Sequence, residues 1–288
     1  MLKKMRTLAI LGLAGLTLAA CGNSQNSKTN WEKIKEAGTL KVATPGTLYP
    51  TSYYDDNKKL VGYEIDMMNE IGKRLDLKID YQEIGVAEAF TAVDSGKVDV
   101  SVNNFDTTKE RLKKYNFSIP YQYSVGGMIV RADGSSDISA KDLSDWKGKK
   151  AGGGAGTQYM KIAEKQGAEP VIYDNVTNDV YLRDVSTGRT DFIPNDYYTQ
   201  VVAVKYITKQ YPDIKVKMGD VKYNPTEQGI VMSKSDKSLK KQLDKVIKEM
   251  KADGTLKKIS EKYYGGQDLT KPESGTEDLP VIDVSDIK

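Results

Sequence analysis

From residue 30 onward the apolar positions alternate between two periods. Thr39–Ala43, Lys78–Ile84 and Val98–Val102 are short runs that predict strands. Between them, Ile65, Met68, Ile71 and Leu75 recur at helical spacing after Tyr63, and Ala87–Ser95 reads as a further helix. A short helix, Trp31–Ala37, precedes the first strand, with Asn30 as its N-cap and Gly38 as its stop. The alternation then restarts. Val125–Arg131, Lys149–Gly152, Val171–Tyr173, Asp191–Pro194 and Gly229–Met232 read as strands. Gln158–Gln166, Asp179–Thr187, Asp196–Tyr211, Lys237–Lys251 and Leu256–Tyr263 read as helices. Strands alternating with helices imply an α/β architecture with largely parallel sheets. Two such units in one chain predict two lobes with a cleft between them, where small ligands usually bind. We assign residues 30–123 and 225–266 to the first lobe and 124–224 to the second. The expected crossings, and so the hinge, lie near Tyr123–Gly126 and Gly219–Asn224. Residues 267–288 are rich in Gly, Pro, Ser and acids and are expected to form a poorly ordered polar tail. No internal repeat is visible.

The first twenty residues follow a different pattern. Lys3, Lys4 and Arg6 precede an uncharged, largely apolar run, Thr7–Leu18, and then Leu18-Ala19-Ala20-Cys21. A basic segment, about a dozen apolar residues and a small-residue cleavage site predict a secretory signal over 1–20. The run falls short of the roughly twenty residues that span a bilayer. Leu-Ala-Ala-Cys resembles the lipobox of bacterial lipoproteins, which makes Cys21 the expected acylated first residue of the mature chain. Residues 21–29, polar and rich in Ser and Asn, would be its tether. Several acyl chains on one residue would hold the protein to a membrane surface.

Composition narrows the chemistry. The formal charge of +3 comes entirely from the signal, which carries three basic and no acidic residues. The remaining chain is balanced, which argues against nucleic acid as a partner. Histidine is absent and Cys21 is the only cysteine. That removes His-based acid–base catalysis, the usual nucleophile triads, disulfides and thiolate metal sites. No cofactor is expected. Gly152, Gly153, Gly154 and Gly156 complete neither G-x-G-x-x-G nor a G-K-[S/T] loop. Close backbone approach to a small ligand suits them better.

Several segments then resemble one family in order. Leu60-Val61-Gly62-Tyr63-Glu64-Ile65-Asp66 is followed by Ser95-Gly96-Lys97-Val98-Asp99-Val100, then by Thr108-Lys109-Glu110-Arg111 and Tyr115-Asn116-Phe117-Ser118-Ile119-Pro120-Tyr121. Gly156-Thr157-Gln158, Gly188-Arg189-Thr190-Asp191 and Lys251-Ala252-Asp253-Gly254-Thr255-Leu256 complete the series. Together they resemble the amino-acid-specific solute-binding proteins of ABC importers, over about residues 31 to 265. The resemblance implies a two-lobed, periplasmic-binding-protein-like (type II) fold that closes about its hinge on a ligand and docks on a membrane permease. A monomer is expected.

The resemblance also implies the site. A free amino acid is a zwitterion and needs a fixed cation and a fixed acceptor. In the family the Arg of Thr-x-x-Arg holds the carboxylate, which here is Arg111; a planar guanidinium suits that role because it makes two parallel bonds. Thr157 and Gln158 open a predicted helix whose free amides would add anion-binding donors. Asp196 takes the ammonium position, and Asn104 and Asp106 fall where the family places further ligand contacts. Tyr49 offers one wall of the side-chain pocket. Each has a plainer reading: Arg111 could lie on a solvated helix face, and Asp196 and Thr157 could simply cap their helices. Gly85-Val86-Ala87 stands where many relatives have a clamping aromatic residue, and Asp106 replaces a usual hydroxyl. A roomy pocket hostile to acidic side chains is therefore expected, with cystine or glutathione as the favoured ligand. A secreted enzyme on the same fold, like a cyclohexadienyl dehydratase, and a sensor module are the alternatives.

Overall fold

The computed structural model describes residues 28–138 and 143–287; the expected signal segment and Cys21 lie outside them. Two sheets organise the molecule. In the first lobe the spatial order is Lys78–Glu83, Thr39–Thr44, Val100–Ser101, Val231–Ser233 and Tyr115–Phe117. Its first three strands are parallel and the last two join antiparallel. The second lobe orders Glu169–Tyr173, Lys150–Gly154, Phe192–Asp196, Gln122–Arg131 and Val216–Met218. Its first three strands again run parallel. A small three-stranded sheet, Thr47–Leu48, Ser52–Tyr54 and Leu60–Val61, sits outside both and was not legible as strands in the sequence.

Helix Tyr63–Leu75 shows how the pattern becomes packing. It buries the expected Ile65, Met68 and Ile71, but also Tyr63, Glu64, Met67 and Gly72. The buried arc is wide because the helix contacts the strand Lys78–Glu83 and both C-terminal helices, Lys237–Ala252 and Thr255–Tyr263. Each fully buried Leu, Ile or Met contributes about 1.5–3 kcal/mol. At the entrance Gly62 has φ 139°, and an added Cβ would meet the Thr51 carbonyl oxygen at 2.2 Å. The first helix starts at Asn30 with Thr29, not Asn30, as N-cap: Thr29 and Glu32 form a reciprocal capping box.

The second lobe has a core on each face of its sheet, and strand alternation sorts them. Met128 and Phe192 face Trp146 and Met160, while Ile129 and Ile193 face Leu182, Val185 and Ile207.

Two adjacent strands join the lobes. Gln122–Arg131 pairs antiparallel with Tyr223–Gln228, and Gln122 stands opposite Gln228, Tyr123 opposite Glu227 and Ser124 opposite Thr226. The first crossing is made by Gln122–Arg131. The second comes later than Gly219–Asn224, because Gly219 still bonds to Met128 and Val221 still packs in the second lobe. At Gly126 the strands approach so closely that a Cβ would fall 2.5 Å from the Tyr223 ring.

The C-terminal segment corrects the expectation of a loose tail. It has no helix or strand, yet Leu269 is buried in the core of the first lobe and its carbonyl accepts from the Tyr123 amide at 2.8 Å. Further on, the Asn224 amide donates to the Pro280 carbonyl at 2.8 Å, and the Asn224 side chain bonds both backbone groups of Ile282. Val284 is buried in the second lobe, and Lys165 binds Asp286 at 2.9 Å. The segment is a strap over both lobes. Its few apolar residues are spaced too irregularly to signal an element, yet all but the exposed Val281 anchor it: Leu269 and Leu279 on the first-lobe core, Ile282, Val284 and Ile287 on the second.

Candidate functional site

The interlobe cleft encloses about 1010 Å³, its open mouth included. Of the seven candidate ligand-binding residues, six line it: Asn104, Asp106 and Arg111 from the first lobe, Thr157, Gln158 and Asp196 from the second. Tyr49 does not. It stacks on Tyr206 of the second lobe with ring centroids 4.1 Å apart and planes 8° from parallel. Its amide also donates to Asn178 Oδ1 at 2.9 Å. Tyr49 opens the turn that follows the short strand Thr47–Leu48, and its ring lies against the opposing lobe, so Tyr49 is an interlobe contact. The pocket wall beside it is made by Thr47 and Leu48.

Arg111 sits in the six-residue helix Lys109–Lys114, capped by Thr108, whose hydroxyl accepts from the Arg111 amide at 3.2 Å. The exposed Leu112 shows that this helix has a solvent side, but Arg111 is turned inward. Its guanidinium lies 5.0 Å from the Phe90 ring centroid and 5.7 Å from that of Phe105. These rings support the cation from behind. Nη1 donates to the Asp106 carbonyl at 3.0 Å, and Nη2 reaches the Gly156 carbonyl of the second lobe at 3.4 Å. No carboxylate among the described residues lies within ion-pair distance of it. Burial lowers its pKa, and the nearby Asp106 and Glu110 carboxylates oppose that shift.

Thr157 caps the helix Gln158–Lys165, accepting from Met160 N at 3.3 Å and donating to the Gly154 carbonyl at 3.0 Å. Asp196 caps Tyr197–Gln210 through the Thr199 amide at 2.8 Å and also lines the cleft. Its carboxylate also accepts from Gln228 Nε2 at 2.9 Å. The same nitrogen lies 3.4 Å from Asp106 Oδ1. Asp196 is 2 % and Asp106 4 % exposed, so neither is screened by bulk water. Burial pushes Asp196 up, and pushes Asp106 up to about 6; for Asp106, Arg111 pulls down and Asp196 adds a further push.

Asn104, at φ 47°, spans the cleft. Its amide donates to Glu64 Oε1 at 2.7 Å, and its side chain donates to Thr199 Oγ1 of the second lobe at 2.9 Å. Glu64 is fully buried behind it, bonded to the Tyr121 hydroxyl, with Oε2 lacking a partner among the described residues. Burial raises Glu64 to about 7. Glu64, Gln228, Thr199, Phe90 and Phe105 were not singled out as site residues in the sequence. Two signals could have found Glu64: its place in the segment Leu60–Asp66 that carries the family resemblance, and an acid on an otherwise apolar helix face. Gln228 is an ordinary polar residue until the strand pairing brings it between two carboxylates.

Away from the charged end the pocket is lined by Thr47, Val86, Asn175, Val176, Tyr181 and Gln200 among others, with no further charged residue. No described group of His, Cys, Asp and Glu could hold a metal ion. The arrangement offers a cation for one end of a small ligand, acceptors for another, and a neutral space beyond.

A two-lobed α/β fold with its charged cleft at a double-stranded hinge is that of a periplasmic-binding-protein-like solute receptor. The chain belongs to the bacterial extracellular solute-binding proteins, family 3, whose pattern matches residues 40–266. It is 48% identical over 263 residues to the probable ABC transporter extracellular-binding protein YckB of Bacillus subtilis, covering 89% of this chain and 90% of YckB. The crystal structure of YckB superimposes with a TM-score of 0.69, over 88% of this chain and all of that one. The L-cystine-binding protein TcyA of Bacillus subtilis is 32% identical, covering 91% of this chain and 96% of TcyA. An ancestral amino acid-binding protein described as a precursor of cyclohexadienyl dehydratase matches with a TM-score of 0.71 at 27% identity, over 81% of this chain and 98% of its own. No described helix is long and apolar enough to cross a membrane.

Proposed function

We propose that this chain is the extracytoplasmic, lipid-anchored receptor of an ABC importer and that it binds an amino acid, with L-cystine favoured. The observation that carries this reading is Arg111: a largely buried guanidinium with no carboxylate partner among the described residues, in a cleft it shares with the buried carboxylates of Asp106 on its own lobe and Asp196 on the other. A ligand carboxylate would complete the Arg111 fork beside the amides that open Gln158–Lys165. Its ammonium would meet Asp196, with Asn104 and Asp106 beside it. Because the charges come from different lobes, only the closed form completes the pairing. The neutral distal pocket supports an uncharged or zwitterionic side chain. That suits cystine, whose far end carries no net charge, better than glutathione, which brings a second carboxylate. The likeness to TcyA supports the same choice.

Calorimetric titration with the common amino acids, L-cystine and glutathione tests this. Saturable binding of one or two of them is expected. Arg111→Ala is expected to weaken it at least a hundredfold, roughly the loss of a bidentate charge-assisted pair. No binding by folded, ligand-free protein would refute the reading. The anchor is tested separately: Cys21→Ala is expected to abolish labelled-lipid incorporation and membrane retention. Permease docking follows from the receptor role, in which the protein acts as a monomer.

One observation favours an enzyme instead. Asp106 and Glu64 are buried acids with raised pKa values at the cleft, the property of a general acid. We expect no turnover of prephenate, since the Arg111 and Asp196 arrangement already accounts for a bound zwitterion.

A further inference from the structure

The cleft holds one more negative charge than an amino-acid zwitterion can balance. Among the described residues Arg111 is its sole cationic lining residue, against Asp106 and Asp196. The two acids come from opposite lobes, and both face the single Gln228 amide nitrogen, at 3.4 Å and 2.9 Å. That nitrogen holds two buried carboxylates within the same few ångströms, where they repel each other at low dielectric. Asp196 is well provided for, with the Thr199 amide and the shorter Gln228 bond. Asp106 is not. It has the longer contact to Gln228 and help from Thr226, with Arg111 near but not ion-paired, and Asp196, Tyr159 and Tyr223 around it.

Resting on the amino-acid reading above, we infer that Asp106 and Asp196 form a two-carboxylate clamp, one jaw from each lobe, that grips the ligand's ammonium as Asp106 gives up a proton. In the unliganded site the Asp106 carboxyl keeps its O–H bond for a large share of molecules at mildly acidic pH. When the ammonium arrives between the jaws, that bond breaks, the electron pair stays on the Asp106 oxygen, and the proton passes to solvent. The ammonium keeps its three protons and donates to both acids. Asp106 thus determines specificity: it favours a free ammonium, penalises anionic ligands and ties affinity to pH.

Linkage fixes the sign. A group that must lose a proton to bind weakens binding as pH falls through its unliganded value, by up to about tenfold per pH unit below that value. Binding therefore weakens below about pH 6 and is independent of this group above about pH 8.

The test is calorimetry on the full-length chain with L-cystine and the common L-amino acids. It is run in phosphate and in bis-tris, whose ionisation enthalpies differ, at about pH 6, and again near pH 8 in two buffers that also differ. Expected is a heat that differs between buffers at the lower pH and agrees at the higher. Asp106→Asn is expected to lose the difference, weaken binding about tenfold near pH 8 and flatten its pH dependence; Asp106→Ser repeats the result with a second side chain. Buffer-independent heat from wild-type protein that binds tightly overturns the clamp and leaves the receptor reading standing. Proton release that persists in both variants assigns the proton elsewhere and also overturns it. No binding of any amino acid at either pH removes the receptor reading and this inference together.

Discussion

Glu64 occupies a position that a carboxylate reaches only at some cost. It is fully buried, its Oε1 accepts from the Asn104 amide and the Tyr121 hydroxyl, and its pKa is lifted to about 7 chiefly by desolvation. An unfolded glutamate titrates near 4.3. The folded protein therefore binds more protons than the unfolded chain between about pH 4.3 and 7, and stability falls as pH rises through that window. Glu64→Gln keeps the shape and the acceptor and cannot ionise. We expect thermal melts in which the variant gains on the wild type steadily from about pH 4.5 to 7.5, with a constant difference above that. A difference that is flat with pH would show that Glu64 is ionised throughout. Arg111, Thr157 and Asp196 could be expected at the cleft from the sequence because the family resemblance carries Arg111 and Thr157 in short motifs and Asp196 at a fixed offset from one. Glu64 and Gln228 were not, since their roles come from partners at Asn104, Asp106 and Asp196, far away in the chain. Tyr49 was misplaced for the same reason: its partner Tyr206 lies on the other lobe.

Helices and buried strands were the most legible elements. Ile65, Met68 and Ile71 mark one helix at helical spacing, and apolar runs mark most strands of the two main sheets, though not Tyr115–Phe117, Val216–Met218 or Tyr223–Gln228. The small sheet from Thr47 to Val61 was missed because its strands are two or three residues long and bury little. Yet that sheet is what fixes Gly62 against the Thr51 carbonyl. Gly62→Ala would force both a backbone rarely open to L-residues and a clash with main chain. It should cost more than about 3 kcal/mol in denaturant unfolding. Gly96→Ala is the control: φ is 69° but nothing lies within 4 Å, so only the backbone cost of about 1–2 kcal/mol remains. Equal costs at the two sites would mean that the Thr51 contact is relieved by movement of the sheet.

At the scale of the molecule the two lobes touch each other directly across the cleft. Tyr49 stacks on Tyr206, Lys161 binds Glu110 at 3.0 Å, and Asn104 reaches Thr199. An aromatic pair is worth about 0.5–1.5 kcal/mol beyond its area. Tyr49→Ala should therefore open the unliganded protein, seen as a larger radius of gyration in scattering, and weaken ligand binding by up to roughly tenfold. An unchanged radius would mean that the other contacts suffice. The strap gives a second prediction. Ending the chain at Gly275 removes the buried Val284 and the Asn224 pairings. A loss of about 2–5 kcal/mol is expected, a melting point lower by some 5–15 °C. An unaltered melt would show the strap to be a passenger.

The strap also changes what kind of joint this is. Two strands side by side can flex and twist about their common line, as a ribbon does. A third leg is fastened to both of those strands, through Leu269 to Tyr123 and through Pro280 and Ile282 to Asn224, and its ends pack into the cores of the two lobes at Leu269 and Val284. Three attachments suppress torsion while leaving room to swing about a single axis. On the receptor reading proposed above, the lobes would then meet in the same register at every closure, and Arg111 and Asp196 would return to one geometry rather than a family of skewed ones.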